Sequence, residues 1–97
     1  MKINIDQSTP FFAIHPGEIL KDELKARHIK QKDFALLSGI ALSQLREIIY
    51  GKINIDASIA LALSKSLHID LEIWLNLQSD YEEDLAKIKA KNNGSNL

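Results

Sequence analysis

The chain contains no cysteine, which excludes both a disulfide framework and a thiolate metal site. Long apolar runs are also missing. The longest purely aliphatic run, residues 59–63, is far too short to span a bilayer, and the N-terminus shows no signal-type apolar core. We therefore expect a cytoplasmic protein with no membrane partner.

An excess of positive charge, the usual mark of a DNA-binding domain, is absent, because the net charge is -1. The charges are nevertheless unevenly distributed. Residues 25–52 carry Asp33 and Glu47 against the basic residues Lys25, Arg27, Lys30, Lys32, Arg46 and Lys52. Residues 53–86 carry Lys65 against the acids Asp56, Asp70, Glu72, Asp80, Glu82, Glu83 and Asp84. The basic segment predicts an anionic partner, and the acidic segment predicts a second, cationic partner. A solvated acidic face without a partner explains the acidic segment equally well.

No strand pattern of useful length and no internal repeat is present, and 45% of the 97 residues are apolar. Five segments with helical periodicity predict a compact all-α domain. We assign residues 1–14 to an N-terminal arm, 15–90 to the helical domain and 91–97 to a tail without structure. In the arm, Phe11, Phe12 and Ile14 require burial against the first helix or a second protomer.

Catalytic and cofactor sites are not indicated. His15, His28 and His68 are too scattered for a metal site, and His15 is better explained as the residue that starts the first helix. The adjacent acids at 82–84 would point in different directions on a helix. A phosphate-binding glycine loop and a nucleophile motif are both missing. We expect neither an enzyme nor a bound cofactor.

The stretch from 31 to 51 has the spacing of a helix-turn-helix. Ala35 has a small side chain, which lets the two helices of the motif approach closely where they cross. Gly39 can adopt the left-handed conformation that ends the first of these helices. Three aliphatic residues then return to the core, at Ile40, Leu45 and Ile48. The outward positions of the second helix, where a recognition helix faces the major groove, hold Leu42, Ser43, Gln44 and Arg46. An ordinary helical hairpin would share part of this pattern.

Four flanking segments make the pattern more specific. They are HPGEIL at 15–20, REIIYGK at 46–52, IDASIALALSKSL at 55–67 and WLNLQSDY at 74–81. In order and spacing they resemble the HigA-type antitoxins, or VapI-like antidote proteins, over about residues 14–85. The resemblance implies a five-helix bundle of the lambda-repressor-like DNA-binding type with a C-terminal helical extension.

The same resemblance implies a homodimer that binds a palindromic operator in double-stranded DNA, represses its own operon and neutralises a small basic HigB-type mRNA-cleaving toxin. The expected DNA-binding residues are Lys30, Gln31, Leu42, Ser43, Gln44, Arg46 and Lys52. The expected dimer or partner interface consists of Trp74, Leu77, Tyr81 and Leu85.

Three positions differ from the family pattern. Ala41 replaces the usual Ser or Thr cap, and Leu36 and Leu42 stand where polar or charged residues are common. Two alternatives therefore stay open, namely a regulator of the same fold without a toxin partner, and an interaction module that no longer binds DNA.

Overall fold

A computed structural model describes residues 11–94, which form five α-helices joined by short connections. In chain order they are α1 (Pro16–Ala26), α2 (Gln31–Ser38), α3 (Leu42–Ile49), α4 (Ala57–Leu67) and α5 (Leu71–Gly94). No strand occurs among these residues. The predicted five-helix, all-α fold is confirmed.

Side-chain caps hold the starts of α1 and α4. His15 Nδ1 accepts the backbone N–H of Gly17 at 2.9 Å, and Pro16 occupies the first helical position, where no N–H is needed. Asp56 Oδ1 accepts the backbone N–H of Ile59 at 2.8 Å. His15 starts the first helix, as the sequence predicts.

Residues with positive φ mark the helix ends. Gly39, with φ 78°, caps α2, and Gly51, with φ 74°, lies two residues beyond the end of α3. His68, with φ 58°, caps α4. These positions turn the chain sharply, so consecutive helices lie side by side.

The core is shared by all five helices. α1 packs against α3 and α5, α2 against α3 and α4, and α4 against α5. The fully buried apolar side chains are Leu20, Phe34, Leu45, Ile48, Ala60, Leu63 and Trp74. The inward positions predicted for the helix-turn-helix are therefore confirmed, with Ala35 and Ile40 also buried.

Trp74 was expected at a dimer or partner interface, and this prediction is wrong. Its side chain is 0% exposed and belongs to the core of its own chain. The other three expected interface residues, Leu77, Tyr81 and Leu85, are half-buried. Apolar periodicity identifies one side of a helix, but it does not show whether this side meets the same chain or a second one.

α5 is longer than expected. It continues to Gly94, so residues 91–94 are helical and not part of a tail. Helix propagation needs only backbone hydrogen bonds, so an exposed turn can continue without an apolar pattern. No helix within residues 11–94, α5 included, is both long and apolar enough to cross a bilayer.

The arm contributes two exposed aromatic side chains. Phe11 is 97% exposed and Phe12 68%, so neither ring is buried against α1, and the alternative, burial against a second protomer, stays a prediction. The rest of the predicted arm, residues 1–10, and the end of the predicted tail, residues 95–97, lie outside the described residues.

Candidate nucleic-acid interface

The exposed side of α3 carries three hydrogen-bonding side chains. Ser43, Gln44 and Arg46 are all exposed, while Leu45 and Ile48 on the opposite side are fully buried. Burying these two aliphatic side chains is worth roughly 2 kcal/mol each and fixes the rotation of the helix about its axis. The helix therefore presents a polar surface to solvent without a loss of core packing.

Gly17 determines how closely α1 approaches α3. A Cβ atom built at Gly17 would lie 1.8 Å from the backbone oxygen of Ile48 and 3.0 Å from the Cα of Ile49. No residue with a side chain fits at that distance. The glycine of the HPGE motif thus sets the separation between the first helix and the end of the recognition helix.

His15 fixes the chain on both sides of this contact. Its Nδ1 accepts a hydrogen bond from Gly17, so Nε2 carries the proton and donates to the backbone oxygen of Ile53 at 2.9 Å. Its ring also meets the edge of the Tyr81 ring, with centroids 4.9 Å apart. One side chain therefore joins the start of α1, the loop after α3 and α5.

Gln78 makes a second connection from α5 to that loop. Its Oε1 accepts the backbone N–H of Ile55 at 2.8 Å, and its Nε2 donates to Glu82 Oε2 at 2.8 Å. The side chain is buried, and losing such a bond would leave a buried polar group without a partner. The loop that carries Lys52 is thus held at Ile53 and at Ile55.

A groove of about 520 Å³ lies where α1, α2 and α3 meet, and we call it the basic groove. Its polar lining residues are Lys21, Lys25, Lys30, Gln31, Lys32, Asp33 and Arg46. None of its five cations forms an ion pair with another described residue. The structure thus brings Lys30, Gln31 and Arg46 together, whereas Ser43, Gln44 and Lys52 lie outside this lining.

Three cations of the basic groove were not expected as site residues, namely Lys21, Lys25 and Lys32. Lys21 and Lys25 lie one turn apart on α1, which precedes the helix-turn-helix. Their spacing of four residues, on the helix that precedes Gln31, is the sequence signal that could have identified them.

Backbone donors add to this surface. The residues before α2 and α3, Lys30 and Ala41, make no side-chain hydrogen bond to the first turn of their helices. The first N–H groups of a helix have no partner within the helix and carry a partial positive charge. The N–H groups at the starts of both helices are thus suited to donate hydrogen bonds to phosphate oxygens.

Leu42 and Leu36 form an apolar surface beside this polar one. Together with Lys32, Ala35, Gly39, Ile40 and Ala41 they line a second groove of about 560 Å³, the turn groove. Leu36 is 83% exposed, as its outward position predicts, whereas Leu42 is half-buried against the core. Leu42 therefore lies at the edge of the exposed side of α3.

A third groove, of about 520 Å³, lies between the arm and α5, and we call it the arm groove. Its residues are Phe11, Phe12, Ile14, Ile19, Leu77, Asp80, Tyr81 and Asp84. Two of the expected interface residues, Leu77 and Tyr81, are brought together here, while Leu85 is not part of the lining. The groove is apolar with two carboxylates at its margin.

Comparison with known proteins agrees with this geometry. The family model for helix-turn-helix domains matches residues 20–74. Virulence-associated protein I of Dichelobacter nodosus is 36% identical over 76 residues, which cover 77% of this chain and 70% of that protein.

Two solved structures share the fold. One is an addiction module antidote protein of a HigA family from Coxiella burnetii, with a TM-score of 0.78 and 33% identity over 86% of this chain and 91% of that one. The other is the Pseudomonas aeruginosa antitoxin HigA with the higBA promoter, with a TM-score of 0.73 and 32% identity over 86% and 89% of the two chains. The chain belongs to the HigA family of helix-turn-helix proteins.

Proposed function

We propose that the chain is a sequence-specific DNA-binding antitoxin that acts in the cytoplasm and represses its own operon. The observation that carries the DNA-binding part is the exposed polar side of α3 beside the basic groove, whose five cations form no ion pair with another residue of 11–94. Amide and guanidinium groups at such positions read base edges in the major groove. The similarity to the HigA structure with the higBA promoter supports DNA binding by this chain.

The remaining site residues serve the backbone of the duplex. Gln31 and Lys30, at the start of α2, hold one phosphate, and Lys52, exposed in the loop after α3, meets another. Leu42 is half-buried and uncharged, so it contacts the duplex without neutralising a phosphate. Phosphate contacts set the register of the protein, while Ser43, Gln44 and Arg46 select the sequence.

A single recognition helix of eight residues covers only a few base pairs, so we propose a homodimer on a two-fold symmetric operator. Leu77, Tyr81 and Leu85 are our candidates for the dimer or partner interface. In support, the arm groove presents Phe11 and Phe12, whose side chains are largely exposed among residues 11–94.

Selection of duplexes from a random-sequence pool tests the DNA-binding function. We expect a palindrome whose half-sites are centred about 34–36 Å apart, one helical turn of DNA. Sedimentation of the selected duplex should show two chains bound. Recovery of no preferred sequence would contradict the proposal and favour the interaction module suggested by Leu36 and Leu42.

The proposal that the chain binds a toxin is supported by its membership of the HigA family and by the negative charge of α5. Asp80 and Asp84 lie at the margin of the arm groove, and Glu83 is exposed beside them. We propose that a small basic HigB-type toxin binds here or alongside. Charge complementarity would speed its association, and the apolar residues of the arm groove would set its residence time.

Co-expression with the adjacent small open reading frame tests whether the chain binds a toxin. We expect a stable complex that Asp80→Lys together with Asp84→Lys weakens at least tenfold, chiefly through a slower association rate in low salt. The pair Asp22→Lys and Glu47→Lys, both exposed on other helices, is the charge-matched control. If both proteins fold and form no complex, the chain is a regulator without a toxin partner.

A further inference from the structure

Lys21 and Lys25 contribute charge to the basic groove, but the function proposed above assigns neither of them a contact with the duplex. Both are exposed, both point into the basic groove, and they lie on α1, outside the helix-turn-helix. Four residues of α-helix rise by about 6 Å, so the two ammonium groups follow one another along the groove.

The concentration of positive charge in the basic groove favours the binding of an anion. Five cations face a single carboxylate, Asp33, and like charges that share a groove repel each other. The chain as a whole carries a net charge of -1, so this concentration of positive charge is local. Elsewhere in the described part, Arg27 and Lys87 are paired with Glu23 and Glu83.

The position of the groove identifies the anion. Gln31 and Arg46 line it together with Lys21 and Lys25, so the groove is continuous with the surface that meets the duplex. A strand whose phosphate reaches Gln31 leads on toward α1. The ligand is therefore the phosphodiester backbone.

We propose that the DNA backbone flanking each half-site runs along the basic groove, and that Lys21 and Lys25 each neutralise one phosphate there. This rests on the proposed DNA-binding function and extends the footprint beyond the base pairs that α3 reads. Because phosphate contacts carry no sequence information, the two lysines add affinity for any duplex long enough to reach them.

Salt titrations of the double variant Lys21→Gln/Lys25→Gln test this. The slope of log affinity against log salt should become shallower by about 0.9 per lysine, which is roughly eightfold in affinity per lysine at 0.1 M salt. The loss should be equal for the selected duplex and for an unrelated duplex of the same length.

The matched control is Lys65→Gln/Lys89→Gln, which removes the same charge from exposed positions on α4 and α5. A second arm uses the selected duplex trimmed to the two half-sites, on which Lys21→Gln/Lys25→Gln and wild type should bind alike. Thermal unfolding of each variant accompanies the binding curves.

If wild type binds the duplex and the two double variants have equal slopes, the flanking contact is refuted while the proposed function stands. A deficit that persists undiminished on the trimmed duplex also refutes it, because the lysines would then act within the half-site. If wild type binds no duplex, the proposed function and this inference fail together.

Discussion

Gly17→Ala is expected to destabilise the folded chain by about 3 kcal/mol, the upper range for overpacking. The added Cβ would lie 1.8 Å from the oxygen and 2.8 Å from the carbon of the Ile48 carbonyl. Both are backbone atoms of α3, so no rotamer change relieves the clash. By helix propensity alone, alanine in α1 would be more stable than glycine. The clash and the propensity therefore predict opposite signs for the change in the free energy of unfolding.

Gly39→Ala is the matched control for this substitution. Nothing lies within 4 Å of a Cβ built at Gly39, and its only cost is the left-handed conformation at φ 78°, about 1 kcal/mol. Urea unfolding of the two variants and wild type gives both free energies of unfolding. A cost for Gly17→Ala no larger than that for Gly39→Ala would show that α1 and α3 do not approach as closely as described.

Gln44→Ala is expected to weaken binding to the selected duplex by roughly 10-fold to 100-fold, the value of one good base contact. Gln44 is exposed on α3 and uncharged, so affinity for an unrelated duplex and the salt dependence of both duplexes should not change. The specificity ratio between the two duplexes should therefore fall by the full amount.

Two further variants separate base reading from backbone contact. Asn76→Ala removes an exposed amide from α5 and should change nothing. Arg46→Gln removes a base contact of α3 together with a charge of the basic groove, so it should lower the specificity ratio and also make the salt slope shallower by about 0.9, even on an unrelated duplex. Equal losses on both duplexes for Gln44→Ala would mean that α3 does not read bases through this side chain.

The spacing of the helix-turn-helix predicted most of the fold, because each position in it has one physical requirement. Gly39 must reach positive φ, and Leu45 and Ile48 must be buried for the two helices to cross. The HPGE motif predicted the start of α1. Its glycine is required because α1 approaches the backbone of Ile48 at that position. This contact joins residues 31 apart in the chain, so only the structure shows it.

The site was predicted less completely than the fold. The basic groove joins side chains from three helices, and no local pattern places Lys21 and Lys25 of α1 beside Arg46 of α3. Trp74 was misassigned for a related reason, since both an interface and a core use large apolar residues at helical spacing. Sequence periodicity reports which side of a helix is apolar, and the packing of distant helices decides what that side meets.

The most direct test of DNA recognition through α3 is an amide chemical-shift titration of the isotope-labelled protein with the selected duplex. We predict the largest changes at residues 30–32, at 42–46 and at Lys52, with smaller ones at Lys21 and Lys25. The amides of α4, on which no duplex contact is proposed, should change least. Largest changes on α4 or α5, with residues 42–46 unaffected, would contradict the account.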